Sequence, residues 1–144
     1  MSIVKVGSLI DEFERNLNEL KSMVESKQNE RFLTSYVWMI DKLERDFVSK
    51  ISELKENLDE LKDKYVTGLD NHNQFDTLIN LCDDLDKIIK DILKFYKTKP
   101  GYSEINLRLN NNLPILSSKV KSMKNRFDII KNQVKKFTFD DFYL

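Results

Sequence analysis

Residues 32–65, FLTSYVWMIDKLERDFVSKISELKENLDELKDKY, decide the fold. Apolar residues fall at Leu33, Tyr36, Ile40, Leu43, Phe47, Ile51, Leu54, Leu58, Leu61 and Tyr65, and from Ile40 the steps run three, four, four, three, four, three, four. An α-helix turns once every ~3.6 residues, so these steps return one side chain per turn to a single stripe. The spacing predicts one long amphipathic helix over 31–66. Its two consecutive fours are a stutter, which relaxes the left-handed supercoil that a strict heptad imposes. The first half, through Val48, is apolar around much of its circumference and is expected to be wrapped by several neighbours. The second half narrows to Ile51, Leu54, Leu58 and Leu61 between charged flanks, as in a seam shared with a partner helix.

Three more helices follow from the same pattern. Ile10, Phe13, Leu17, Leu20 and Val24 form a narrow stripe, predicting a helix over 8–28 with Gly7-Ser8 opening it and Ser8 as its N-cap. Residues 25–31 are polar and read either as a short turn, the preferred reading, or as a polar bridge in one continuous helix, since no Gly or Pro forces a break. Phe75, Leu78, Cys82, Leu85, Ile89, Ile92 and Tyr96 predict a helix over 73–98. Its extra apolar positions make it the natural partner of the broad half of the central helix. Thr67-Gly68 and Lys99-Pro100-Gly101 mark helix ends. Residues 102–113 admit two readings, an extended arm suggested by alternating Ile105, Leu107 and Leu109, or a short helix capped by Ser103. Pro114 suits the first position of a helix, and Leu116, Val120, Met123, Phe127, Ile130, Val134 and Phe137 predict one over 114–136.

Bulk composition agrees. The 144 residues suffice for one domain, read as a bundle over 1–137 with an aromatic and acidic tail over 138–144. Only three Gly and two Pro occur, as a mostly helical chain requires. Lys+Arg and Asp+Glu number 24 each, so no net field draws the whole molecule to a polyanion. One cysteine forms no internal disulfide, the N-terminus lacks the apolar run of a signal peptide, and no stretch reaches the ~18 apolar residues of a membrane span. These features point to a soluble, intracellular, cytoplasmic protein.

Chemistry-bearing residues are sparse. His72 is the sole histidine and falls in a polar corner, without zinc-ligand spacing to Cys82. Cys82 sits on an apolar stripe, where a free thiol acts as a small hydrophobe. Asp83, Asp84 and Asp86 lack the glycine of a calcium loop and read as a solvated face. No phosphate-cradling loop or catalytic set is visible, so the chain reads as no enzyme, with no cofactor, no metal and no small-molecule substrate.

Two features concern partners. Lys119, Lys121, Lys124, Arg126, Lys131, Lys135 and Lys136 make the last helix basic, a possible anion-binding face for membrane or nucleic acid. Aspartates at 70, 76, 83, 84, 86 and 91 offer the simpler account, charge pairing within the molecule. Phe139, Phe142, Tyr143 and Leu144 in the tail either fold back or fill a groove on another protein. The reading is an all-α protein, an elongated antiparallel helical bundle or coiled coil of about four helices. Its narrow seams, above all Ile51, Leu54, Leu58 and Leu61, are expected to be completed by other helical chains, in a homo- or hetero-oligomer. The expected function is that of a non-catalytic scaffold or adaptor subunit, and the alternative is a peripheral binder of anionic membrane or nucleic acid.

Overall fold

Apolar stripes at helical spacing cover most of the chain, and every regular element among the described residues is helical. The computed structural model describes residues 3–64 and 69–134. The elements are α1 (Ile3–Glu25), α2 (Asn29–Leu33), α3 (Tyr36–Leu43), a π-helical turn (Glu44–Val48), α4 (Ser49–Lys64), α5 (Leu69–Lys97) and α6 (Tyr102–Val134). Helix α1 packs on α4 and α6, and α5 packs on α4 and α6, so α6 closes the bundle against α1. Ion pairs give the direction. Lys5 meets Glu53 at 3.3 Å, Glu12 meets Lys50 at 3.0 Å and Glu19 meets Lys42 at 2.8 Å. Numbers rise on one helix as they fall on the other, so α1 runs antiparallel to the central helix. Lys55–Asp83 and Lys62–Asp76 show the same for α4 and α5.

Several expectations are corrected. Helix α1 begins at Ile3, with Gly7 inside it rather than opening it. A Cβ at Gly7 would lie 3.0 Å from Cε2 of Phe127, so the missing side chain makes room for that ring. The turn at 26–28 is present, but the central helix is also interrupted at Thr34 and Ser35. There the Thr34 and Ser35 hydroxyls donate to the carbonyls of Glu30 at 2.6 Å and Arg31 at 2.8 Å. Such back-bonding gives the backbone an alternative to the helical ladder.

The last helix starts at Tyr102, twelve residues before its expected beginning, and runs through Pro114. Ile105, Leu109, Leu113, Leu116, Val120, Met123, Phe127 and Ile130 are all buried, a stripe of fours and threes that overrides the strand-like alternation. Proline removes one ladder bond, the one the Asn110 carbonyl would accept. Both residues lie on the exposed face, where water replaces the missing donor. Helix α5 ends as expected before Lys99-Pro100-Gly101, with Lys99 in the left-handed region at φ 53°. The π turn keeps one buried face aligned along the central helix. Met39, Leu43, Phe47 and Ile51 are buried at successive steps of four, and the π turn absorbs the surplus over ~3.6 residues per turn.

Candidate functional site

The four seam residues of the central helix are not open to another chain. Ile51, Leu54, Leu58 and Leu61 are each at most 1% exposed, sealed where α4 packs against α1 and α5. The expectation that a partner completes this seam is therefore corrected. The narrow stripe of α4 is covered from two sides, by α1 and α5, and α6 in turn packs on both of these, so each long helix has two neighbours. Phe139, Phe142, Tyr143, Leu144, Lys135 and Lys136 lie outside the described residues, as does the His72 side chain.

The basic face of α6 is partly committed. Lys124 pairs with Glu14 at 2.9 Å and Asp11 at 3.9 Å, Lys119 pairs with Asp84 at 3.3 Å, and Arg126 reaches Gln74 at 3.5 Å. Hydrogen bonding to Glu14 raises the Lys124 pKa. Lys121 and Lys131 are exposed. The acidic residues of α5 serve mainly the central helix rather than α6: Asp83 holds Lys55 and Asp76 holds Lys62. Asp86 pairs with Lys90 one turn along at 2.8 Å. No cluster of three His, Cys, Asp or Glu side chains placed to hold a metal ion occurs among the described residues. Cys82 is fully buried, and burial pushes its thiol up to about 12.

Exposed apolar surface gathers instead where α2 meets α3. Val37 is 85% exposed, Trp38 43% and Phe32 42%, and the Phe32 and Trp38 rings lie 6.1 Å apart. The sequence places this half of the helix under several neighbours. The fold instead turns Met39 inward and leaves Val37 and Trp38 outside. Their exposure was detectable as their offset from the buried stripe, once that stripe is known to pass through Met39. Other exposed apolar residues, Val4, Leu107, Ile115 and Ile129, are spread along α1 and α6, and scattered surface hydrophobes are ordinary.

The corner is held from both sides. Tyr36 donates its hydroxyl proton to the Pro100 carbonyl and Tyr102 donates to Asn29 Oδ1, tying α2 and α3 to the α5–α6 connection. The Tyr36 ring meets buried Tyr96 edge-on at 6.4 Å, and burial raises the Tyr96 phenol's pKa. Beneath Trp38 lies Lys42, only 2% exposed, with Nζ 5.8 Å from the Trp38 ring, 2.8 Å from Glu19 and 2.9 Å from Asp46. Burial weighs most on Lys42 and lowers its pKa, but the bonds and charges of Glu19 and Asp46 outweigh it, and the net pKa is raised. Asp46 mirrors this. Burial opposes its charge most, while Lys42 and Arg45 together hold its carboxyl below the usual range. Asn16 of α1 donates to the Asp46 carbonyl at 3.0 Å, so α1 grips the π turn through a side chain and a backbone group.

A groove of about 940 Å³ also runs between α4 and α5, with Glu44 and Glu56 on one wall and Lys90, Lys94 and Lys97 on the other. Charges of both signs line it, as is usual along two packed amphipathic helices. No helix among the described residues is long and apolar enough to cross a membrane. No family model, curated protein or solved structure matches this chain.

Proposed function

We propose that this protein is a non-catalytic helical scaffold or adaptor subunit of a protein assembly, and that it docks another helical chain through Phe32, Val37 and Trp38. The observation that supports this reading is the outward placement of those three side chains on a corner fixed by two tyrosine hydrogen bonds. Burying a large apolar side chain contributes ~1.5–3 kcal/mol, and tryptophan is enriched among residues that dominate interface energetics. A rigid corner also loses little conformational entropy on association. Antiparallel neighbours with stripes of threes and fours further suit coiled-coil-like packing of the bundle.

The test is capture from extract of the native cell by the full chain and by a Val37→Ser/Trp38→Ser variant, with circular dichroism confirming equal helicity. Proteins held by the parent and lost by the variant support the reading, and an identical set refutes it. Repeating the capture across a range of salt separates the reading from anion binding through α6. Attraction to phosphates weakens steeply with salt, whereas apolar docking persists.

A further inference from the structure

Three exposed apolar residues of α6 stand in line. Leu107 is 64% exposed, Ile115 46% and Ile129 39%, and taken one at a time they are ordinary surface. With Asn111, Ser118, Ser122, Asn125 and Asn132 they step four, four, three, four, three, four, three, and all of these positions are exposed. The buried stripe of the same helix, from Ile105 to Ile130, keeps the same rhythm two residues earlier. Two residues turn a helix by about 200°, so α6 carries a second seam, ~38 Å long, roughly opposite its core. None of its residues is charged, in a chain where 33% are. Asn and Ser are also poorer helix formers than the Lys, Glu and Gln usual on a solvated face. The five on this line have no side-chain hydrogen bond among the described residues. Asn110 and Asn112, off the line, each donate to the carbonyl four residues back at 2.8 Å.

The rims of this seam are positive. Residues 105–127 contain no Asp or Glu. Of the cations there, Lys119 and Lys124 are paired with Asp84 and Glu14. Arg108, Lys121 and Arg126 flank the seam and have no carboxylate partner among the described residues. Arg108 lies over the Phe95 ring at 4.0 Å, and Arg126 reaches Gln74. We propose that this face of α6 binds a helix of another protein in coiled-coil fashion, one with apolar and amide residues on its seam and acidic residues on its flanks. Ile115 and Ile129 stand two heptads apart with Ser122 midway, and a polar residue at such a position sets register. Carboxylates opposite Arg108, Lys121 and Arg126 select the partner. A second copy of this chain would set cations against cations, and a nucleic acid would leave three apolar side chains facing phosphates. The surface lies apart from Phe32, Val37 and Trp38, so it goes beyond the docking corner and gives the molecule a second contact.

The probe is a synthetic helix of four heptads with Ile at a, Asn at d and Glu at e and g, whose like charges keep it from pairing with itself. Its twin carries Lys in place of Glu. Each is titrated with the full chain and followed by fluorescence anisotropy of a dye on the peptide. The Glu peptide should bind the parent about tenfold more tightly than the Lys peptide, or better. Ile115→Ser/Ile129→Ser alters only exposed positions, and should weaken the Glu peptide about tenfold with circular dichroism unchanged. Lys121→Glu/Arg126→Glu should reverse the preference between the two peptides. Val37→Ser/Trp38→Ser should bind the Glu peptide as the parent does, so this surface and the docking corner stand or fall separately. Binding of neither peptide, equal binding of both, or indifference to the isoleucine substitutions would overturn the proposal. So would a dimer of the chain alone that Ile115→Ser/Ile129→Ser dissociates, which assigns the face to a second copy. Binding of duplex DNA that Lys121→Glu/Arg126→Glu abolishes and the isoleucine substitutions spare would overturn it in favour of nucleic acid.

Discussion

Replacing Lys42 by methionine tests the buried charge beneath the corner. Methionine keeps the length of the side chain but removes the ammonium group, and with it two hydrogen bonds to carboxylates, at 2.8 Å to Glu19 and 2.9 Å to Asp46. Removing one member of a fully buried ion pair costs ~3–5 kcal/mol. Here the cost is smaller, because the Glu19 side chain is 60% exposed and solvates when released, and Asp46 keeps Arg45 at 3.1 Å. Discounted for that screening, Lys42→Met should lower stability by about 1–2 kcal/mol at pH 7. The loss should depend on pH in a defined direction. The folded state holds the Asp46 carboxyl below its ordinary pKa, so its contribution is complete above the unfolded value of ~3.9 and disappears as pH falls through the folded one. Lys42 has a raised pKa, so its contribution is complete below ~10.4 and is lost only in strong alkali. Urea unfolding followed by Trp38 emission should show the full gap at pH 7 and a gap that narrows as pH falls below ~3.9 and on through the depressed pKa of Asp46. A gap undiminished in acid, or none at pH 7, would show that Lys42 acts through packing rather than through its charge.

Other substitutions probe the backbone and core. Leu58→Asp should abolish helical circular dichroism in the monomer, since a carboxylate placed at a fully buried core position costs about 4 kcal/mol or more; a folded variant that merely failed to associate would restore the open-seam reading. Lys99→Gly should stabilise the chain by about 0.5–1 kcal/mol, because a side chain is held there at φ 53° and glycine relieves that strain. A lower melting temperature would refute it. Asn57→Leu should add about 1 kcal/mol, as this side chain is 2% exposed and its Oδ1 has no hydrogen-bond partner. Chemical denaturation of each variant beside the parent reads these changes directly.

The helices were legible because each buries one stripe, and a stripe of threes and fours can be read without coordinates. Pro114 misled because a proline breaks a helix only where its lost bond cannot be replaced, and its exposure was not written in its neighbours. Leu107 misled too. It completes an alternation with Ile105 and Leu109, yet it lies 64% exposed while its neighbours are buried. The interruption at Thr34 and Ser35 carries no Gly or Pro, only hydroxyls that outcompete the ladder. The corner was hidden by a rotation of one residue, since Met39 and Ile40 are equally apolar and only the π turn decides between them. The open-seam expectation failed for a different reason. Stripe width states how much each helix must bury, but not that α6 would come back to cover α1.

The two tyrosine ties have a kinetic consequence. Tyr36 reaches Pro100 across 64 positions and Tyr102 reaches Asn29 across 73, whereas a helical hairpin such as α5–α6 turns within a few residues. Closing long loops costs entropy before any contact repays it. During refolding, amide protection should therefore appear in the hairpins before it appears at this end, which acts as a clasp between two preassembled halves.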